Sequence, residues 1–269
     1  MLGAAEIRQL AESLDLRPTK KLGQNFVIDP NTIRKIVAAA NLTEDDVVVE
    51  IGPGLGSLTL GILEVVDQLV VVEIDQRLAG LLPTTIEKHA PGKNIKIVSE
   101  DAMTVTQLPL VPTALVANLP YNISVPVLIH FLETFPTIKK MLVMVQAEVA
   151  NRLAAEPGGK DYGSPSVKLA WFGKARLAGN IGRNVFWPAP QVDSALVYFE
   201  RHRDQTNKEV FKIIDAAFSM RRKTLRQALA GWAGSAARAE EILRSAGIDP
   251  SLRGEQLGID DFVRVASSQ

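Results

Sequence analysis

The chain has 269 residues, 46% of them hydrophobic and 22% charged, with thirty basic residues balancing thirty acidic ones; that is enough for one large core plus a small second domain, and too apolar for a disordered chain. The lack of cysteine excludes disulfides and thiolate zinc sites, and three scattered histidines argue against a catalytic metal cluster. The start, Met1 to Glu6, has no basic flank or sustained apolar core, and no later apolar run is long enough to span a bilayer, so a cytoplasmic protein is expected.

Residues 6–16 read as a short helix, and a polar, basic loop follows over 17–26. Its Gln24 and Asn25 amides suit either a simple connector or contacts to a polar ligand. Asp29-Pro30-Asn31 makes a helix start with proline in the first turn, and Ile33, Ile36 and Val37 continue an apolar stripe through Ala40. Residues 46–51 form a β-branched run of the kind buried on both faces of a parallel sheet. It leads into Gly52-Pro53-Gly54-Leu55-Gly56-Ser57, a glycine loop opening a helix through Leu63. A second strand over 68–75 ends in acidic residues, a third over 94–98 ends at Glu100-Asp101-Ala102, and a fourth over 114–118 ends at Asn118. A helix over 125–135 and a strand over 141–145 keep the α/β alternation, and 168–177 with 192–200 read as a closing strand pair. The domain boundary is placed near 203–207, after which only helical patterns occur, over 208–219, 221–231, 235–246 and from Gly258; Gly247 is a helix stop and Asp249-Pro250 restarts the chain.

The chemistry concentrates at the strand ends, where open α/β sheets put their ligands. Glycines at 52, 54 and 56 let the backbone pass close to a ligand. Serine at 57, where a dinucleotide fingerprint wants glycine or alanine, points away from a pyrophosphate cradle and toward an amino-acid-bearing nucleoside. Glu73, on the strand after the loop, is placed to accept both ribose hydroxyls of an adenosyl cofactor, and Asp101 to accept from an adenine amino group. The structural alternative for each carboxylate is a helix cap or a surface position. Asn118-Leu119-Pro120-Tyr121 offers an amide acceptor, a chain-stiffening proline and an aromatic floor, a place for a flat, amino-bearing group; the plain alternative is a turn with a hole-filling tyrosine.

Residues 50–56, 72–75, 100–102 and 118–124 together resemble class I S-adenosylmethionine methyltransferases and, more narrowly, the ribosomal RNA adenine dimethyltransferases. The likeness begins at Lys21 to Phe26, continues through Val145 to Leu153 and Phe186-Trp187-Pro188-Ala189-Pro190-Gln191-Val192-Asp193-Ser194, and reaches Arg221 to Arg226, so nearly the whole chain is covered. The last two motifs are similar to the small-subunit branch of the family rather than to the large-subunit branch.

The resemblance implies an α/β fold: a Rossmann-like, mostly parallel sheet of seven strands, one antiparallel, in a catalytic domain over 1–204, with a small all-α RNA-binding domain over 205–269. It implies S-adenosyl-L-methionine as cofactor, S-adenosyl-L-homocysteine as product, and no metal. Gln24 and Asn25 would lie at the methionine end, Gly52, Gly54 and Gly56 around the cofactor, Glu73 on the ribose, Asp101 on adenine N6 and Asn118 beside the transferable methyl, with Val27, Ile74 and Ala102 in the same pocket. The catalytic set is Asn118, Leu119, Pro120, Tyr121 and Phe186, with Tyr121 stacking on the target base and Phe186 packed on or beside it; core packing is the alternative for Phe186.

Charge is segregated along the chain: 41–105 holds eleven acidic against four basic residues, whereas 201–226 holds eight basic against three acidic. Arg221, Arg222, Lys223 and Arg226 read as one face of a helix whose Leu225 and Leu229 turn inward, suited to RNA phosphates or simply to solvent. The loop 155–166 is rich in turn formers and carries no assigned role beyond facing RNA. The resemblance implies dimethylation of N6 on two adjacent adenosines near the 3′ end of 16S rRNA, within an immature small ribosomal subunit, by a monomer. Two other readings stand beside it: adenine methylation of 23S rRNA or DNA, and a ribosome-assembly factor in which catalysis is secondary.

Overall fold

The structure is a computed structural model and describes residues 1–16, 25–121, 123–220 and 222–269. In chain order its elements are α1 (Ala4–Ser13), β1 (Phe26–Val27), α2 (Pro30–Ala39), β2 (Val47–Ile51), α3 (Ser57–Leu63), β3 (Gln68–Val72), α4 (Gln76–His89), β4 (Ile95–Val98), β5 (Ala114–Asn118), α5 (Ser124–Thr134), β6 (Lys140–Gln146), α6 (Ala147–Leu153), α7 (Ser164–Phe172), β7 (Gly173–Ile181), β8 (Phe186–Trp187), β9 (Ser194–Arg201), α8 (Lys208–Ser219), α9 (Leu225–Ala228), α10 (Ala230–Ala233), α11 (Ala236–Ser245) and α12 (Ile259–Ser267). Among the described residues no helix is long and apolar enough to cross a membrane.

The chain divides into two compact units, Met1–Ala150 with Arg176–Arg201, and Asn151–Ala175 with His202–Gln269. The first is built on a seven-stranded sheet of order β4-β3-β2-β5-β6-β9-β7. Strands β2, β3, β4, β5 and β6 run parallel, and β9 is antiparallel to β6, which is the mostly parallel sheet expected. The cause lies in composition: Val48, Val49, Ile51, Val70, Val71, Leu115 and Val116 are all at most 3% exposed, because helices cover both faces. Chain order reverses between β2 and β5, since β3 and β4 extend one way and β6 the other. That reversal opens a crevice at the carboxyl ends of the strands. Register lines those ends up, with Ile51 opposite Val72 and Ala117, and Val72 opposite Val98.

At α2 the Asp29 carboxylate accepts from the N–H groups of Asn31 and Thr32, with Pro30 opening the helix as its sequence requires. A separate two-stranded sheet pairs β1 with β8, placing Val27 opposite Phe186 and Phe26 opposite Trp187.

The second unit is helical and corrects three expectations. Residues 168–172 are the end of α7, not a strand: Ser166, Leu169 and Phe172 are buried at helical spacing, and Pro165 sits in the first turn. Because α7 packs on α8 and α12, residues 151–175 group with the C-terminal helices, whereas the sequence reading ran one domain unbroken over 1–204. The single helix expected over 221–231 is instead the short α9, begun after Thr224, followed by α10. Its inward residues are as read, since Leu225 and Leu229 are buried. Gly247, at φ +72°, ends α11 as its sequence implies. Edge-on contacts of Phe211 with Trp171 and Phe172 knit this core, and the Tyr162 hydroxyl donates to the Leu257 carbonyl at 2.8 Å.

Candidate active site

A cavity of about 250 Å³ fills the crevice. Its lining brings together Asn25, Val27, Gly52, Gly54 and Glu73 with Ile74, Asp101, Ala102, Asn118 and Pro120. Residues from four strand ends and the β1 segment thus meet around one space, Asn25 and Asn118 among them ninety-three positions apart. The crevice ends of β2, β3, β4 and β5 supply these groups around the switch point.

The glycine loop owes its path to positive φ at Gly52 (+66°) and Gly54 (+58°). A β-carbon on Gly54 would stand 2.8 Å from the Phe26 ring, so the ring of β1 rests on the loop and walls the cavity. Gly56 does not line the cavity. At φ +94° it caps α3, and a β-carbon there would press on Leu82 and Thr85 of α4, so its role is helix packing.

Glu73 is 6% exposed, and its two carboxylate oxygens accept from the N–H groups of Gly54 at 3.2 Å and Asp75 at 2.9 Å. Burial pushes its pKa up, and these N–H donors oppose the shift. Asp101 accepts from the Met103 N–H at 2.9 Å and keeps its carboxylate exposed at the cavity edge. The Asn118 amide nitrogen donates to the Asn25 carbonyl at 3.0 Å. That bond fixes which way the amide points and leaves its oxygen as an acceptor.

Leu119 is buried and does not line the cavity, its N–H donating to the Met144 carbonyl at 3.1 Å, and the Pro120 carbonyl accepts from the Ile123 N–H at 3.3 Å, closing the turn. Tyr121 is half-buried beside the cavity, its hydroxyl 2.8 Å from Ser194 Oγ. Burial raises the Tyr121 pKa against that hydrogen bond. Phe186 is 3% exposed and packs in the core beside β1, opposite Val27, which is the core-packing alternative for this residue. Gln24 and Arg221 lie outside the described residues. Arg222 and Lys223 are exposed, and Arg226 pairs with Glu240 at 2.8 Å.

Three residues carry no role in the sequence reading. Ser194 positions Tyr121, and the motif ending in it was its only signal. Glu50, fully buried at the cavity floor, accepts from the Thr59 hydroxyl at 2.7 Å; burial lifts its pKa to about 8, with the nearby Glu73 adding to the shift. Ser57 lines the cavity with a buried hydroxyl oxygen that has no hydrogen-bond partner among the described residues. An unsatisfied buried hydroxyl costs free energy, which a polar ligand in the cavity would recover.

The family model described as ribosomal RNA adenine dimethylase matches residues 16–268. Among curated relatives, proteins named ribosomal RNA small subunit methyltransferase A are 58% identical in Paenarthrobacter aurescens, over 100% of this chain and 94% of the relative. The one in Corynebacterium glutamicum is 60% identical over 99% of this chain and 94% of its own. Among solved structures, a dimethyladenosine transferase from Plasmodium falciparum superposes with a TM-score of 0.75 at 24% identity, covering 88% of this chain and 94% of that one. The 23S rRNA methyltransferase ErmE gives 0.66 at 26% identity, covering 90% of this chain and 98% of that one.

Proposed function

The chain belongs to the ribosomal RNA adenine dimethylase family and is a methyltransferase, and we propose that its crevice transfers methyl groups from S-adenosyl-L-methionine to N6 of two adjacent adenosines near the 3′ end of 16S rRNA. The observation that carries this reading is Asn118: its amide nitrogen is tied to Asn25, so its oxygen is held as an acceptor at the edge of the cavity.

The residues present fit the cofactor. Glu73 would accept from ribose hydroxyls and Asp101 from an adenine amino group, and the buried Ser57 hydroxyl would find a polar partner in the bound molecule. When bound, the cofactor supplies an electrophilic methyl on a sulfonium.

Adenine N6 is a poor nucleophile because its lone pair is delocalised into the ring. Asn118 Oδ1 and a main-chain carbonyl at Leu119 or Pro120 accept its two hydrogens, which favours a pyramidal nitrogen with its lone pair aimed at the methyl. This is positioning together with electrostatic stabilisation of the cation that forms. No strong base is needed, since the resulting ammonium is very acidic. A stacked base cannot reach the crevice, so the target is extruded, with Tyr121 as its stacking floor. Exposed Arg222 and Lys223 meet RNA phosphates, the substrate is the immature small subunit in the cytoplasm, and the enzyme acts as a monomer.

Identity of 58–60% to relatives named for the small subunit, against 26% to the 23S enzyme, weighs against the large-subunit alternative. Transfer of radiolabel from the cofactor to purified, undermethylated small subunits, followed by nucleoside analysis, tests the reading. N6,N6-dimethyladenosine in 16S rRNA is expected, and label appearing only in other nucleic acids, or nowhere, would overturn it.

A further inference from the structure

The first unit carries a second cavity, of about 390 Å³, lined by Gln146, Glu148, Arg183, Gln191, Val192 and Asp193. None of these side chains takes part in the methyl-transfer geometry above. The walls nevertheless stand on the elements that hold the crevice. Gln146 ends β6 and pairs in register with Ser194, whose hydroxyl anchors Tyr121. The Asp193 carbonyl accepts from the Ala147 N–H at 2.9 Å, fixing the same corner. From Arg183 the chain runs straight into Phe186 and Trp187, which pair with the crevice wall at Val27 and Phe26. Tyr121 therefore follows the crevice residues Asn118 and Pro120 in the chain, and its hydroxyl meets Ser194, the residue next to Asp193 of the second cavity.

We propose that this second cavity receives the base of the nucleotide next to the target adenine, and that it selects a base bearing an exocyclic amine. The inference rests on the proposed transfer to ribosomal RNA. Its chemistry follows from the lining. The Gln146 amide offers one acceptor and two donors, a set that pairs two-pronged with a base edge. The carboxylates of Glu148 and Asp193 accept hydrogen bonds and repel phosphate, so an amino edge faces inward and the sugar–phosphate chain stays outside. Arg183, with a side chain 57% exposed at the rim, is steadied by the Gln191 carbonyl at 3.1 Å and the Asp193 carboxylate at 3.5 Å. Its remaining N–H groups suit a phosphate. Val192, 45% exposed, gives an apolar surface for the flat face of a base. Adjacent nucleotides are one phosphodiester apart, so a target drawn out of its stack over Tyr121 brings its neighbour to this corner.

The test is a cycle between enzyme and substrate. Initial rates of labelled methyl transfer are measured on undermethylated small subunits carrying either the native adenosine or a uridine beside one target adenosine, with wild type and with Gln146→Ala. Wild type is expected to lose about tenfold in kcat/KM on the uridine substrate. Gln146→Ala is expected to lose about as much on the native substrate and nothing further on the uridine one. Its cofactor affinity and melting temperature are read alongside. Should Gln146→Ala unfold, Val192→Trp, which fills the cavity from its edge, replaces it and is expected to give the same pattern. Equal uridine losses in wild type and variant, or no loss in wild type, overturn the inference while leaving the methyl-transfer reading intact. A wild-type enzyme that labels no small-subunit adenine overturns that reading instead.

Discussion

In the crevice, Glu73 is gripped by two backbone N–H groups and Asn118 by a backbone carbonyl, while Glu50 lies at 1% exposure beneath them. In the helical unit, Arg222 and Lys223 stand in a solvent-exposed turn and Arg226 is held by an ion pair at the surface. The first region fixes direction: a carboxylate or amide that cannot turn acts through geometry in a low-dielectric space, where salt hardly reaches. The second supplies charge without fixed direction, which attracts a polyanion from a distance and weakens as salt screens it. If that division holds, substitutions in the two regions differ in kind as well as in size.

The largest effect is expected at Asn118. Asn118→Ala removes the oriented acceptor and should lower kcat by about 10²–10³-fold, with the reduction equal at low and high salt. A reduction that shrinks as salt rises would erase the contrast between the regions. Tyr121→Ala should come next, with turnover down by about tenfold to a hundredfold for the stacking it forfeits and cofactor binding near normal. Collapse of cofactor binding would make Tyr121 a structural residue and the pocket for the base wrong.

Glu50 sharpens the comparison through pH. Its pKa in the folded protein, about 8, lies above the ordinary 4.5, so between those values the folded chain keeps a proton that the unfolded chain has lost. Glu50 therefore contributes stability that is fully present below pH 4.5 and lost as pH rises through about 8. Glu50→Gln keeps a partner for Thr59 and removes the titration. Melting temperature followed from pH 5 to pH 8.5 should fall by a few degrees more in wild type than in the variant. Parallel curves would mean that Glu50 is ionised throughout.

How much of this was legible in the sequence follows the same division. The β-branched run at 46–51 and the apolar runs at 68–75 and 114–118 read as buried parallel strands because both faces are covered, and the glycines at 52, 54 and 56 read as a loop open to conformations barred to other residues, which positive φ at all three bears out. Residues 164–172 did not read as helix, since a short apolar stretch fits either period and only packing against α8 and α12 decides it. For Phe186 the sequence leaves base contact and core packing both open for a related reason: its partner, Val27, is far away in the chain, so nothing local says that the ring faces inward. Ser57 and Glu50 were visible as letters of the glycine motif, but burial, which gives them their character, is a property of the assembled crevice.

The helical unit should respond differently. Reversing charge at Arg222 and Lys223 is expected to weaken binding to small-subunit RNA by about tenfold at low salt and to reduce the slope of log affinity against log salt by about 2, one for each phosphate that is no longer neutralised. An unchanged slope would take both side chains out of the interface. Turnover of RNA already bound at saturating concentration should stay near wild type, because neither residue lines the crevice.

Arg226 gives the smallest expected effect and the finest test. It lies in the same basic segment, yet its guanidinium is 2.8 Å from Glu240, which Arg244 also meets at 2.8 Å. A guanidinium already facing a carboxylate must leave it, or share it, to meet a phosphate, and the exchange of one surface partner for another brings little net gain. Arg226→Ala should therefore leave RNA affinity within about twofold of wild type and the salt slope unchanged. Glu240→Ala frees the side chain, and is expected to strengthen binding slightly at low salt while steepening the slope. If Arg226→Ala instead weakens binding as much as the Arg222 and Lys223 reversal, the ion pair opens when RNA docks, and the whole segment from 222 to 226 acts as one phosphate-binding face.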